Sequence, residues 1–272
     1  MSVQGWPPRF LTKTTAIERK RGDGAKAAAF IEALCRVDKQ SFAAPAGQLI
    51  ELLPWQKQLL DALLARRADG RLKHRTALIG MPRKSGKSAL LSGLTMRQLV
   101  MGEPGSEIYA VAATRDQARI VFETAKSMIR LEPELADACN IYRDVIENKV
   151  TRSIYKVLAS EAPQLEGLSP SFVAFDELHA QPNRELFDVL SLASAARVDP
   201  MLVAITTAGV KTDSSGKDSL CYSMYQYGQR VANGETADDT FFMAWWQPRF
   251  ENADYKDAKV WKQANPGFGV IS

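Results

Sequence analysis

The residues Pro82-Arg83-Lys84-Ser85-Gly86-Lys87-Ser88 constrain this chain more than any other stretch, because the segments around them fix their setting. Before them, Thr76-Ala77-Leu78-Ile79-Gly80 is a short apolar run suited to a buried strand. After them, Ala89 to Leu99 has helical character. A Gly-Lys-Ser at a strand-to-helix junction gathers backbone N–H groups and a helix N-terminus around an anion. Lys87 is then placed to reach the β- and γ-phosphates of a nucleotide, and the Ser88 hydroxyl to bind Mg²⁺. Arg83 and Lys84 add positive charge that suits a triphosphate. The spacing departs from the usual glycine, four residues, then Gly-Lys-Ser. Met81 occupies the first-glycine position and Gly80 stands one residue early. The loop must therefore turn with Pro82 and a residue bearing a Cβ where glycine is usual.

A second motif answers the first. Phe172-Val173-Ala174-Phe175-Asp176-Glu177 is an apolar strand ending in two acids. A buried strand that delivers Asp176 at its carboxyl end places a carboxylate beside the metal of the first motif. Glu177 can then orient and deprotonate an attacking water, which requires a carboxylate within hydrogen-bond reach. The two motifs in this order point to nucleotide hydrolysis. A chance basic turn and a strand capped by solvated acids would explain each alone, but not the pair.

The 272 residues suit one large α/β domain or two small ones, and an apolar fraction of 46% is ordinary for a globular chain. No run of 18 apolar residues exists, so no membrane span is expected, and the start lacks the apolar core of a secretory signal. Cys35, Cys139 and Cys221 are odd in number and too dispersed for metal-ligand spacing, which suits buried thiols in a reducing compartment. A net charge of +4 permits a nucleic-acid partner without arguing for one, and clusters such as Arg19-Lys20-Arg21 and Arg71-Leu72-Lys73-His74-Arg75 read first as solvated surface.

Along the chain, residues 1–24 read as an irregular, charged arm. A helix is expected over Ala25 to Val37, with Phe30, Ile31, Leu34 and Val37 on one face. Residues 41–49 read as a connection. Pro54 opens a second helix, expected to end near Gly70. Strands and helices then alternate: strand 76–80, helix 87–100, strand 107–113, helix 115–130, strand 154–158 with a hairpin partner around 141–151, strand 171–176, helix 185–195, strand 201–206, helix 217–231 and strand 240–246. Such alternation predicts a mainly parallel central sheet flanked by helices. The end of strand 201–206, Thr206-Thr207-Ala208-Gly209, should open on the same sheet edge as the phosphate loop.

Five ordered segments carry a resemblance. They are Leu53-Pro54-Trp55-Gln56, the loop 82–88, the stretch Ala112-Ala113-Thr114-Arg115-Asp116-Gln117-Ala118, the stretch from Gly167 to His179, and Thr206-Thr207-Ala208-Gly209. In them the chain resembles the large terminase subunit of tailed bacteriophages, the ATPase that drives DNA into the procapsid. The resemblance implies a P-loop NTPase of the additional-strand, catalytic-glutamate type, with ATP and Mg²⁺. It implies that Gln56 reads the adenine edge with Trp55 nearby, although Trp55 also reads as a core anchor. Pro82, Arg83, Lys84, Ser85, Gly86, Lys87 and Ser88 would line the triphosphate, with Lys87 and Arg83 assisting catalysis. Ser88 and Asp176 would hold Mg²⁺, Glu177 would be the catalytic base, and Thr206, Thr207, Ala208 and Gly209 would couple hydrolysis to movement. In that family an arginine in the loop is usual and the first glycine is often absent.

The implied organisation is an N-terminal arm and helix (1–45), the ATPase domain (46–250) and a linker (251–272) toward a nuclease domain. Asn265-Pro266 resembles the start of that link, and no DNA cleavage is expected of the chain itself. The implied partners are double-stranded DNA, the portal protein and the small terminase subunit. A homo-oligomeric ring would act in the host cytoplasm while docked on the procapsid, and an isolated domain would be monomeric. Ring motors supply an arginine across the subunit boundary; Arg115, Arg143, Arg152, Arg184 and Arg197 are candidates, none singled out by its surroundings. The rival reading is a DExH-type helicase-like ATPase, sharing the glutamine motif, the Asp-Glu-x-His run to His179 and a Thr-rich third motif. Against it, no second motor core fits after residue 210. A kinase is disfavoured by the tandem acids, because a water-activating base wastes ATP, and a purely structural docking protein by the paired phosphate motifs.

Overall fold

The computed structural model describes residues 3–40, 44–159, 167–250, 252–254 and 256–269. Parts of the expected 41–49 connection and of the 251–272 linker thus lie outside the described residues. Among the described residues nine strands form one sheet: β1 (Phe10–Leu11), β2 (Thr76–Gly80), β3 (Glu107–Ala112), β4 (Cys139–Ile141), β5 (Val145–Asn148), β6 (Ile154–Ala159), β7 (Pro170–Asp176), β8 (Met201–Thr206) and β9 (Phe241–Trp245). Their order is β1-β9-β2-β8-β7-β3-β6-β5-β4. The six central strands run parallel, and antiparallel pairs close both sides. Central strands are buried on both faces, which is why they read as continuous apolar runs rather than alternating ones.

Helices α1 (Ala16–Arg21), α2 (Gly24–Leu34), α3 (Pro54–Leu63), α4 (Lys87–Met101), α5 (Arg115–Leu131), α6 (Pro133–Ala138), α7 (Glu185–Ala193), α8 (Leu220–Asn233) and α9 (Ala258–Ala264) cover the sheet. Side chains of β2 alternate between two cores. Ala77 and Ile79 join α2 to α5 on one face, whereas Leu78 joins α7 and α8 on the other. Leu78 and Ile79 have no exposed surface, and burial of each stabilises the fold by about 1.5–3 kcal/mol.

Several expectations are corrected. Residues 3–24 carry regular structure within the expected arm: β1 pairs with β9, and α1 starts with a reciprocal Thr15–Glu18 capping box. Two residues are too short a strand for a periodic signal, and the cap lies among charges that masked it. The helix from Pro54 ends at Leu63, not near Gly70, because Ala65 and Lys73 pair across a turn instead. Helix α8 starts at Leu220 rather than at residue 217, where the Ser219 side chain accepts from Tyr222 N–H. Helix α6 was not expected at all.

Candidate active site

The phosphate loop leaves β2 at Gly80, the partner of Trp245 on one side and Thr206 on the other. A Cβ at Gly80 would lie 2.1 Å from the Trp245 ring, so this glycine serves close packing between strands and is not a displaced loop glycine. Met81, in the first-glycine position, is buried, and its N–H donates to the Thr206 carbonyl at 3.1 Å. The turn is made further on. Lys84 takes φ 63°, a left-handed conformation that costs a Cβ-bearing residue about 1 kcal/mol or more, and Gly86 takes φ 75° as the cap of α4. The Cβ-bearing turn anticipated from the sequence therefore falls on Lys84. Arg83 and Lys84 are exposed, whereas Ser85 and Lys87 are buried.

Strand β8 lies between β2 and β7, which separates the loop strand from the acidic strand by two strand spacings, about 10 Å. The opening of α4 bridges that gap. Ser88 Oγ donates to Asp176 Oδ2 at 3.1 Å. Lys87 Nζ stands 3.6 Å from Glu177 Oε1 and donates to the Pro82 carbonyl at 3.4 Å. Two motifs 88 positions apart thus meet at the carboxyl edge of one sheet.

Asp176 is 6% exposed. Burial, and next the Glu177 carboxylate, raise its carboxyl above the usual range, and the Ser88 hydroxyl, the Glu177 N–H and Lys87 offset this only in part. The site is therefore short of positive charge. Glu177 takes φ 50°, ψ 54°, so the chain turns sharply after Asp176 and its N–H donates back to Asp176 Oδ1 at 3.0 Å. Its Oε2 is buried and accepts no aligned hydrogen bond, although His179 Nδ1 lies 3.2 Å away.

Gln56 and Trp55 differ in kind. Gln56 Oε1 accepts from the Leu53 N–H at 2.8 Å, and its Nε2 faces Gly86 of the loop. Trp55 is 1% exposed, with its ring edge-on to Trp246 at 5.4 Å, a core position behind the site. Thr206 and Thr207 lie at the same edge, and His179 N–H donates to Thr206 Oγ1 at 3.1 Å. A pocket of about 370 Å³, lined by Met81, Pro82, Gly209, Tyr222, Tyr225 and Trp245, lies alongside the loop. The sequence shows His179 only as the last residue of the Asp-Glu-x-His run, and the structure makes it a member of the network at this edge. Its signal was the Asp-Glu-x-His run, but its partner Thr206 stands 27 positions away.

The five candidate arginines sort by sheet edge. Arg115 and Arg143 flank Asp144, and Arg184 pairs with Asp188, all near carboxyl ends of parallel strands. Arg152 and Arg197 precede β6 and β8 and so lie at the opposite edge.

The family model of the terminase large subunit ATPase domain matches residues 54–230, more than half of the chain, and takes in the phosphate loop, the acidic strand end and the Thr206–Gly209 segment. The chain belongs to the terminase large subunit ATPase domain family. It is 27% identical over 254 residues to the terminase large subunit of Enterobacteria phage HK97, covering 91% of this chain and 47% of that protein. The crystal structure of the HK97 large terminase superposes with a TM-score of 0.75 and 26% identity, over 92% of this chain and 49% of that one. Protein YmfN of Escherichia coli strain K12 is 30% identical over 107 residues, 39% of this chain and 22% of YmfN. The chain thus spans about half the length of the HK97 terminase. Among the described residues no helix is long and apolar enough to cross a membrane.

Proposed function

We propose that this chain is the ATP-hydrolysing motor domain of a terminase that moves double-stranded DNA into a procapsid. The observation that carries the reading is the meeting of Lys87 and Ser88 with Glu177 and Asp176 at one point of the sheet edge. In this reading the first-turn N–H groups of α4 and Lys87 bind the β- and γ-phosphates, and Arg83 and Lys84 flank them from the exposed side. Gln56 Nε2, left free by its own helix, meets the base edge, and Trp55 holds that helix in the core.

Asp176 and the Ser88 hydroxyl would hold Mg²⁺. The fit rests on a buried carboxylate short of positive charge beside a hydroxyl, oxygen donors that suit a hard cation shared with phosphate oxygens. Bound there, the ion would neutralise charge on the transferring phosphoryl group. Glu177 orients the attacking water and takes its proton. A triphosphate draws Lys87 away from Glu177, so substrate binding frees the carboxylate for that work.

Thr206, Thr207, Ala208 and Gly209 transmit the nucleotide state to movement on DNA. Family membership supports, within this reading, a DNA partner, a ring assembled on the portal, a small-subunit partner and action in the host cytoplasm at the procapsid. Of the five arginines, Arg115, Arg143 and Arg184 share the loop's sheet edge and suit a role across a ring interface. The division into an arm and helix (1–45), motor (46–250) and linker (251–272) belongs to the same reading. The test is displacement of a triplex-forming strand from duplex DNA by the full chain with ATP. ATP-dependent displacement that vanishes in Glu177→Gln supports the motor; displacement independent of ATP would refute it.

A further inference from the structure

Glu177 leaves one carboxylate oxygen without an aligned partner. Oε1 leans toward Lys87, while Oε2 is buried and 3.2 Å from His179 Nδ1. The same Nδ1 lies 3.1 Å from Thr206 Oγ1 and 3.5 Å from Thr207 Oγ1. The hydrogens in this group can be assigned. Thr206 has one hydroxyl hydrogen, which it donates to the Thr207 carbonyl at 2.8 Å. Its oxygen already accepts the His179 backbone N–H, and toward the ring it can only accept. A carboxylate oxygen also only accepts. The two nearest neighbours of Nδ1 thus both accept, and we assign it the hydrogen that serves them; Thr207 Oγ1, at 3.5 Å, is the more distant third partner. One N–H faces two acceptors, and in this structure it is aligned with the threonine.

The surroundings keep these acceptors close. Thr206 has no exposed surface, and its carbonyl is tied to the loop through Met81 N–H. A Cβ at Gly209 would lie 2.5 Å from His179 Cβ, so only a glycine lets the 206–209 segment press on the turn that carries the ring. The segment, the ring and Glu177 form one contiguous chain of contacts.

We propose that His179 is a positioning residue whose Nδ1–H passes between Thr206 Oγ1 and Glu177 Oε2. A shift of the 206–209 segment thereby sets the orientation of the carboxylate. The proposal rests on the reading of Glu177 as the water-orienting base. With Nδ1–H on Thr206, Glu177 leans on Lys87. When a triphosphate engages Lys87 and the segment draws Thr206 aside, Nδ1–H turns to Oε2 and leaves Oε1 to the water. No covalent bond forms or breaks, and His179 gives up no proton. The link also runs backward, from the carboxylate through the ring to the segment.

The test measures steady-state ATP hydrolysis and equilibrium ATP binding on the full chain, with thermal melts as a folding control. The variants are His179→Leu, His179→Asn, His179→Gln, Thr206→Val and Glu177→Gln. An asparagine amide overlays the Nδ1 position, whereas a glutamine amide reaches the Nε2 position. His179→Leu should lose roughly ten- to a hundredfold in kcat, with ATP affinity within about threefold. His179→Asn should recover most of the loss and His179→Gln should not. Thr206→Val should cost less in the His179→Leu background than in wild type. If the Asn and Gln variants behave alike, or if the loss falls on affinity with kcat intact, the proposal is overturned. The Asn–Gln comparison stands even if the leucine variant fails to fold. Wild-type turnover by Glu177→Gln would instead defeat the underlying assignment of the base.

Discussion

The two ends of the parallel strands handle charge in opposite ways. At the amino ends, charged side chains satisfy one another. Arg66 pairs with Asp23 at 2.8 Å and Asp199 at 2.7 Å, Arg97 adds to Asp23, and Lys73 pairs with Glu18 at 2.7 Å. Asp199 also accepts the Leu72 N–H. Burial opposes the charge on Asp23, yet Arg66 and Arg97 hold its carboxyl below the usual range. At the carboxyl ends the balance is reversed. Asp176 is pushed up by burial and by Glu177, Glu177 adopts a left-handed backbone, and its Oε2 has no aligned donor. At one edge the charges are paired within the protein; the other is left in want of a charged ligand. Strain and unmet polar groups of this kind concentrate where function needs them.

Substitutions can break the comparison. The largest effect should follow Glu177→Gln. Loss of a general base should lower ATP turnover by roughly 10²–10⁴-fold, while urea melts show stability changed by less than about 1 kcal/mol. Next, Arg66→Leu at the opposite edge should destabilise by about 2–3 kcal/mol, somewhat under the cost for a fully buried pair because the Arg66 side chain keeps 24% exposure. Its kcat should stay near wild type. Equal loss of turnover and stability in both variants would mean that the edges are not separate.

A comparable effect belongs to pH. His74, at the amino edge, has no exposed surface, and burial lowers its pKa from 6.5 to about 4. The unfolded chain takes up this proton first as pH falls. The stability held by the neutral ring is thus full above about pH 6.5 and lost on the way to pH 4, by roughly 3 kcal/mol. Urea melts across that window should show the loss in wild type and a flatter profile in His74→Leu. An unchanged pH profile in that variant would remove His74 from the account.

The smallest effect should be a gain. The Asp176 carboxyl is raised in the folded state, so its contribution is favourable at low pH and is lost as pH rises through the folded pKa. At neutral pH without ligand, Asp176→Asn should therefore stabilise by up to about 1 kcal/mol while abolishing hydrolysis. A destabilised variant would contradict the assignment of strain to this edge.

The contrast also marks what the sequence could convey. Strands β2 and β7 were legible because short apolar runs lead into the Gly-Lys-Ser loop or end in paired acids, and local order carries that information. The insertion of β8 between them was not, because strand order follows from long-range pairing such as Gly80↔Thr206 and Asp176↔Ile205. For the same reason Gly80 looked like a misplaced loop glycine until Trp245, 165 positions away, lay over it. His179 was visible as a letter in a run, but its hydrogen-bond partner was not. Strand β1 and helix α1 escaped because two residues and six residues are too few for periodicity to register.

The central claim is that Lys87, Ser88, Asp176 and Glu177 close on a single magnesium-bound triphosphate. Calorimetric titration of a slowly hydrolysed ATP analogue into the full chain, with and without Mg²⁺, tests it most directly. Mg²⁺ should tighten binding at least tenfold in wild type, and that tightening should disappear in Asp176→Asn while Lys87→Ala loses affinity under both conditions. Tightening by Mg²⁺ that survives in Asp176→Asn would place the metal elsewhere and contradict the account.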